Sequence, residues 1–413
     1  MAFVIPSRSA RPSDDPIFAL NAEARARAQA GESVINATVG SLLDDEGRIA
    51  TLPGVVAALA EVPAPITAAY APIAGSPDFL RGVIADLLGT RPEASSPDSP
   101  LAKWATGVAT TGGTGALRHA IANFLEPGQA LLTSSFYWGP YKTLADETDR
   151  ALATFNMFDE AGKLDVAAFR RSLESLLRQQ GRALVILNSP CHNPTGYSFD
   201  KDEWAAVRST IEDLSGLGPI TICLDIAYAR FGPPGGMDAM LDAVLPLVPR
   251  ALVTFAWSAS KTFLEYGIRV GALIAVHSDD EIRRKVQNAL VYSCRGTWSN
   301  VNAGGMSALA TVLSTPSLRT RVDAEREQWV STLARRVARW NELASKAELR
   351  YPRYDGGFFT TVFTDDAFGA CERLKALGVF VVPQAGALRV ALCSVAERDI
   401  ERLVQAIAKA TRP

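Results

Sequence analysis

Ala251-Leu-Val-Thr-Phe-Ala-Trp-Ser-Ala-Ser-Lys261-Thr-Phe-Leu-Glu-Tyr-Gly-Ile-Arg269-Val-Gly-Ala-Leu-Ile-Ala-Val276 is the stretch whose reading decides the fold. The run from Ala251 to Trp257 is apolar enough to be a buried strand, and Gly271 to Val276 is another. Lys261 is therefore expected in a short loop between two strands, not on a solvated helix face. A lysine there loses hydration, and desolvation moves its pKa down toward the neutral amine. A neutral amine attacks carbonyls and forms Schiff bases. Arg269 adds a permanent positive charge that can grip a phosphate with two parallel bonds. Ser258 and Ser260 flank the lysine and can donate to the same anion. A phosphorylated aldehyde, pyridoxal phosphate, answers to all of these groups at once. The competing reading is a lysine and an arginine on an exposed loop, and the rest of the chain has to decide between them.

Composition narrows the field without settling it. The chain has 413 residues, enough for two domains or one large domain with an appendage. Its apolar and charged fractions are those of an ordinary soluble globular enzyme. A formal net charge of -2 gives no sign of nucleic-acid or polyanion binding. Cys191, Cys223, Cys294, Cys371 and Cys393 are scattered and odd in number, with no C-x-x-C pair. That argues against a disulfide framework or a zinc or other metal site, and for a reducing cytoplasm. Met1 to Asp15 lacks the apolar core of a signal peptide, and no apolar run is long enough to span a membrane. The Pro/Ser-rich segment Arg91 to Pro100 is expected to be a surface loop.

In order along the chain, a helix is expected from about Asn21 to Ala30, ended by Gly31, then an extended piece from Val34 to Gly40. Gly40 either lets a ligand approach the backbone or makes a turn. Helical spacing returns at Leu52–Val62 and Pro77–Leu88, with Tyr70 between them in a proline-rich loop. From Thr106 apolar runs of strand length alternate with amphipathic segments, the pattern of a parallel sheet covered by helices. Val108 to Leu117 joins a strand to a helix through Gly112-Gly113-Thr114-Gly115. Such a turn leaves backbone N–H groups free at a helix start, where they can cradle a phosphate. Ala130–Ser134 delivers the aromatic cluster Phe136, Tyr137, Trp138 and Tyr141, either core or a plate for a planar ring. Ala183–Leu187 leads into Asn188-Ser-Pro-Cys-His-Asn193-Pro-Thr-Gly196. Asn193, held extended before a proline, can point its amide at a ligand. Ile220 to Asp225 ends a buried strand in a carboxylate, with Tyr228 three residues on. Asp225 needs a cationic partner, either a protonated pyridine nitrogen or Arg230.

Beyond the lysine stretch a helix is expected from Asp280 to about Val291, leading to Arg295-Gly-Thr-Trp298-Ser-Asn300. Long helices fill Ala303 to about Ala347 with a break at Thr315-Pro316, and a small α+β unit closes the chain. Arg389 lies on a late apolar strand, as an ion-pair partner or as a ligand contact. The expected fold is thus α/β. A large domain of residues 45–310 carries a mostly parallel sheet covered by helices; residues 1–44 and 311–413 form a smaller α+β domain.

Strand ends on such a sheet converge on one crevice, and there these groups add up. The sequence resembles the class I pyridoxal-phosphate-dependent aminotransferases, aspartate aminotransferase-like, over nearly its whole length. Cys191-His-Asn-Pro-Thr-Gly196, Asp225-x-x-Tyr228, Ser258-x-Ser-Lys261 and Arg269 carry the resemblance most specifically. Asp14-Asp-Pro-Ile, Tyr70-x-x-Ile-x-Gly75, Gly112-Gly-Thr-Gly-Ala-Leu117 and Arg295-x-x-Trp-Ser-Asn300 also fit it. The resemblance implies that Lys261 is the Schiff-base lysine, that Asp225 pairs with the pyridinium nitrogen, and that Asn193 and Tyr228 hold the ring's phenolic oxygen. It implies that Gly113, Thr114, Ser258 and Arg269 bind the phosphate, with Tyr70 reaching in from the second subunit of a homodimer. Trp138 is implied to stack on the ring, although Gly139 follows it where a proline is common, which leaves Tyr137 as a rival.

Arg389 is implied to bind the substrate α-carboxylate with Gly40 and Asn193 nearby, and Arg295 to reach across the dimer to a dicarboxylic side chain. The expected activity is ping-pong transfer of an amino group between an L-amino acid, aspartate/glutamate or aromatic, and a 2-oxo acid such as 2-oxoglutarate. A lyase or decarboxylase on the same scaffold is the alternative; Arg389 argues for transamination, by fixing the carboxylate in the ring plane. A ligand-sensing regulator is disfavoured, since the dozen or so residues before Asp14 cannot supply a DNA-binding extension.

Overall fold

The computed structural model describes residues 3–9, 11–12, 16–89, 91 and 100–412. Residues 92–99 of the expected Arg91–Pro100 loop, and Asp14 and Asp15 of the Asp14-Asp-Pro-Ile motif, lie outside them. Twelve strands follow in chain order: β1 (Ile35–Asn36), β2 (Ala105–Thr110), β3 (Ala130–Ser134), β4 (Ala151–Phe155), β5 (Ala183–Asn188), β6 (Ile220–Asp225), β7 (Leu252–Ser258), β8 (Gly271–Val276), β9 (Thr360–Phe363), β10 (Val379–Phe380), β11 (Val382–Gln384) and β12 (Ala387–Val390). The chain divides into two compact units.

The larger unit spans Ala50–Ala334 with Arg353–Gly357. Its seven-stranded sheet has the order β2-β8-β7-β6-β5-β3-β4. Every neighbouring pair is parallel except those made by β8, which is antiparallel to both β7 and β2. All residues of β5, β6 and β8 are buried, so the continuous apolar runs that identify them reflect cover on both faces. That cover includes the helix Gly112–Phe124, whose Leu117 and Ile121 pack with Leu131, Tyr141, Leu184, Ile186, Leu273 and Leu290 in one core. The helix Pro77–Leu88 starts with Pro77 at its first position and the Ser76 side chain capping Phe79 N–H, a local start signal the sequence states outright. Asp200 and Glu203 likewise form a reciprocal capping box on the helix Lys201–Leu214.

Register places the carboxyl ends of the parallel strands side by side. Asn188 of β5 is opposite Asp225 of β6, and Asp225 is opposite Ala256 of β7. Gly271, the first residue of β8, is opposite both Ser258 and Thr110. Ser258, Asp225, Asn188 and the glycine turn after Thr110 therefore share one sheet edge.

The smaller unit comprises Met1–Ile49, Arg335–Pro352 and Phe358–Pro413. It pairs β1 with β10 in parallel and builds an antiparallel sheet of order β11-β12-β9. The later division of the chain falls inside the 31-residue helix Pro316–Lys346, between Ala334 and Arg335, where the sequence reading put it at 310/311. Within this unit Arg336 is fully buried and bonds the Leu43 and Cys393 carbonyls and the Asp45 carboxylate.

Candidate active site

Lys261 lies in the connection between β7 and β8, where it is carried on a single helical turn, Ala259–Thr262. Four residues are too few to show helical periodicity, so no pattern in the sequence could reveal the turn. Ser258 caps it, its hydroxyl accepting from Ser260 N–H at 3.3 Å. Lys261 is half-buried, with Nζ 5.5 Å from the Tyr228 ring centre and 4.5 Å from that of Tyr266. Neither the fully solvated lysine of the competing reading nor a deep core lysine is found.

From the lysine a chain of contacts crosses the sheet edge. Asn193 Nδ2 lies 3.4 Å from the Tyr228 hydroxyl, and the Asn193 backbone N–H donates to Asn188 Oδ1 at 2.6 Å. Asn188 Nδ2 in turn donates to the Asp225 carbonyl at 2.7 Å. Asn193 Oδ1 is buried without a hydrogen-bond partner, a buried acceptor that asks for a donor. His192 beside it is fully buried, near Thr195 and Ser134, and burial pulls its pKa down to about 3 despite a bond to backbone at Phe136. It stays neutral and structural.

Asp225 is 6% exposed. Burial pushes its carboxyl up, while the Tyr141 hydroxyl, donating at 2.7 Å, and the Ala227 amide at 3.2 Å pull it back. Arg230 is not its partner: that guanidinium pairs with Asp86 at 2.6 Å. Among the described residues no cation forms an ion pair with Asp225. Its surroundings fit a protonated ring nitrogen better than an internal salt bridge. Tyr141, stacked near Tyr137 and edge-on to Trp138, is the partner that the sequence reading missed. The signal available was its place two residues after Gly139, where β3 hands the chain to the helix Pro140–Glu147. Trp138 and Tyr137 are both half-buried beside Tyr141.

The glycine turn and Arg269 form the opposite wall. Gly112 has φ +70°, and a Cβ there would lie 2.6 Å from Arg269 Nη2. Arg269 itself has φ 55°, a left-handed conformation uncommon for a residue with a side chain. It donates to Ser260 Oγ at 3.1 Å and to the Tyr266 carbonyl at 2.9 Å. A Cβ on Gly113 would press on Ser258 Cβ at 3.3 Å. The helix start at Gly112, Gly113 and Thr114, the Ser258 hydroxyl and the Arg269 guanidinium thus make a close-walled anion cradle. The residues present fit pyridoxal phosphate: an amine, a phosphate cradle, the Asn193 Nδ2 and Tyr228 hydroxyl donors side by side, and a buried carboxylate that pairs with no cation among the described residues.

The remaining candidates have surroundings of their own. Tyr70 is 93% exposed, in a groove of about 820 Å³ lined also by Pro65, Ile66 and Met306. Arg295 is exposed and donates to Ser299 Oγ at 2.6 Å. It belongs to the helix Asp280–Thr297, which runs on past the expected end at Val291. Trp298 stacks on the buried His119, centroids 4.3 Å apart. In the smaller unit Arg389 is 4% exposed, donates to the Thr38 carbonyl at 2.6 Å and lies 4.7 Å from the Phe359 ring centre. A Cβ on Gly40 would strike the same ring at 2.4 Å. Arg389 is thus held by a carbonyl and an aromatic face.

Comparison with known proteins gives the family. A family model, aminotransferase class I and II, matches residues 32–407. The aspartate aminotransferase of Pseudomonas aeruginosa is 29% identical over 405 residues, 95% of this chain and 96% of that one. The aromatic-amino-acid aminotransferase of Paracoccus denitrificans is 30% identical over 318 residues, 76% of each. A solved aminotransferase from Anaerococcus prevotii superposes with a TM-score of 0.94 at 31% identity, covering 100% of both chains. The chain belongs to the class I and II aminotransferases and is a pyridoxal-phosphate-dependent transaminase. No helix among the described residues is long and apolar enough to cross a membrane, and no metal-binding cluster is found among them.

Proposed function

We propose that the chain transfers an amino group between an aspartate, glutamate or aromatic L-amino acid and a 2-oxo acid such as 2-oxoglutarate, in two half-reactions. The observation that carries this is the convergence on one sheet edge of Lys261, the Gly112–Thr114 cradle and a buried Asp225 that pairs with no cation among the described residues. When bound, pyridoxal phosphate supplies an electron sink for charge developing at the substrate's Cα. Lys261 Nζ is the amine that would hold the cofactor's aldehyde carbon, and it is the group that would take the proton from the substrate's Cα as base and return it as acid. Asp225 holds a proton on the ring nitrogen, and Tyr141 orients the carboxylate for it. Asn193 and Tyr228 donate to the phenolic oxygen. Gly113, Thr114, Ser258 and Arg269 bind the phosphate, and Trp138 covers a ring face.

In this reading the larger unit holds the cofactor, and Arg389, with Gly40 and Asn193, receives the substrate's α-carboxylate. The working form is a homodimer in the cytoplasm, in which Tyr70 and Arg295 serve the partner's site. Support for this comes from the exposure of Tyr70, Tyr292 and Ile66 on the single chain. The names of the relatives support both substrate classes. A panel of amino acids mixed with the yellow holoenzyme tests the reading: the true donors bleach the visible band. Arg295→Ala should weaken bleaching by aspartate and glutamate about 10-fold or more and leave monocarboxylic donors near wild type. Equal losses across the panel refute a selective Arg295, and no bleaching by any donor refutes the activity.

A further inference from the structure

Asp86 stands near the end of the helix Pro77–Leu88, its side chain 2% exposed, and belongs to none of the groups described above. Its carboxylate is held by three elements at once. Trp257 Nε1 donates to Oδ2 at 2.9 Å, Arg230 Nη2 to Oδ1 at 2.6 Å, and Arg319 Nη2 to Oδ1 at 2.7 Å. Arg319 passes the charge pattern on to Asp323 at 2.8 Å, and Asp323 pairs with Arg326. Arg326 is 6% exposed and reaches the Thr262 carbonyl at 3.4 Å.

These anchor points are not scattered over the unit. Trp257 is the penultimate residue of β7, two residues before the turn that carries Lys261, and Thr262 is the last residue of that turn. Arg230 lies in the 3-10 turn Ala229–Phe231 that begins directly after Tyr228. A turn of four residues has no helical stability of its own, so its aim depends on what grips its ends. One buried carboxylate and the arginine chain attached to it grip both ends of the lysine turn and the residues following Tyr228.

We propose that Asp86, acting through Trp257, Arg230 and the Arg319–Asp323–Arg326 chain, is a positioning residue that sets the aim of Lys261 Nζ relative to Tyr228. The inference rests on the reading that Lys261 carries the cofactor. Removing the Asp86 charge leaves Arg230 and Arg319 facing each other with no carboxylate between them, which shifts both turns.

The test uses holoenzyme reconstituted with pyridoxal phosphate and reads four quantities: visible circular dichroism per bound cofactor, kcat, KM and melting temperature. Asp86→Asn is expected to weaken the visible dichroism and to lower kcat roughly 10- to 100-fold. KM for the amino acid should stay within about 3-fold, since the substrate's carboxylate is held elsewhere. Trp257→Phe, which removes one donor and keeps the arginine pairs, and Arg326→Met, which frees the Thr262 carbonyl, should move kcat and dichroism in the same direction by roughly 3- to 10-fold. Variants that melt earlier yet keep wild-type kcat and dichroism overturn the proposal, leaving Asp86 a plain stabilising residue. If Asp86→Asn does not fold, wild-type values in both other variants overturn it equally. A wild-type protein with no visible band after incubation with pyridoxal phosphate instead removes the reading of Lys261 on which the inference stands.

Discussion

Asp225 and Tyr141 show what a single hydrogen bond does at this site. A buried carboxylate drifts toward its neutral form, and a neutral Asp225 cannot keep a ring nitrogen protonated. The Tyr141 hydroxyl, whose own pKa burial and then Asp225 raise well above the ordinary value, stays a donor at all working pH and favours the charged carboxylate. A hydrogen bond to a charged group contributes about 1.5–3 kcal/mol. Tyr141→Phe should therefore lower kcat/KM roughly 10- to 100-fold and speed cofactor loss, with the fold intact by far-UV dichroism; wild-type kinetics would remove Tyr141 from the mechanism. Lys261, Asp225, Tyr228 and Asn193 were legible because each combines a chemically reactive or hydrogen-bonding side chain with a strand end or a proline that fixes its direction. Tyr141 was not, because a tyrosine among four aromatics in six residues reads equally well as core, which in part it is.

At the level of elements, the turn between β2 and the helix Gly112–Phe124 is closely constrained backbone. Gly112 combines a left-handed φ with a guanidinium where its Cβ would be. Gly112→Ala should cost about 1–3 kcal/mol from the backbone alone and displace Arg269, so that the melting temperature falls and pyridoxal phosphate binds more weakly. Unchanged melting and cofactor affinity would show that the turn relaxes freely. The sequence reading singled out Gly113 and Thr114 but not Gly112, since which glycine of a run needs a positive φ depends on tertiary contact.

The buried strands β2, β3 and β5–β8 were legible from apolar runs. β4 was not, because it is a five-residue edge strand in which only Phe155 is buried, so no run of buried residues marks it. The reversal of β8 also escaped, because an apolar run carries no direction. The helix Asp280–Thr297 outruns its expected end even though Gly296 is a poor helix former, and Cys294 on its last turns stays buried against the core.

For the molecule as a whole, buried titratable groups set how stability follows pH. Burial would raise Asp86, but the charges of Arg230 and Arg319 and the Trp257 bond hold it at about 2. A carboxylate whose folded pKa is depressed stabilises the protein above its ordinary pKa and loses that contribution as pH falls through its folded value. For Asp86 the window runs from about pH 4 down to about 2 and is worth on the order of 2 kcal/mol. Two histidines act earlier. Burial, with the nearby Arg118 charge, lowers His119 to about 4, and burial lowers His192 to about 3.

Both histidines are neutral when folded, whereas the unfolded chain takes up their protons below about pH 6.5. Stability should therefore decline from about pH 6.5 downward, well before the carboxylates titrate. His119 is the cleaner probe, because among the described residues neither of its ring nitrogens has a hydrogen-bond partner and its ring stacks on Trp298. His119→Phe keeps an aromatic face against Trp298 and removes the titration. Thermal melts across pH should show the wild-type melting temperature falling between pH 6.5 and 4, and a shallower fall in the variant. Parallel curves for the two proteins would mean that His119 takes up a proton in the folded state as readily as in the unfolded one.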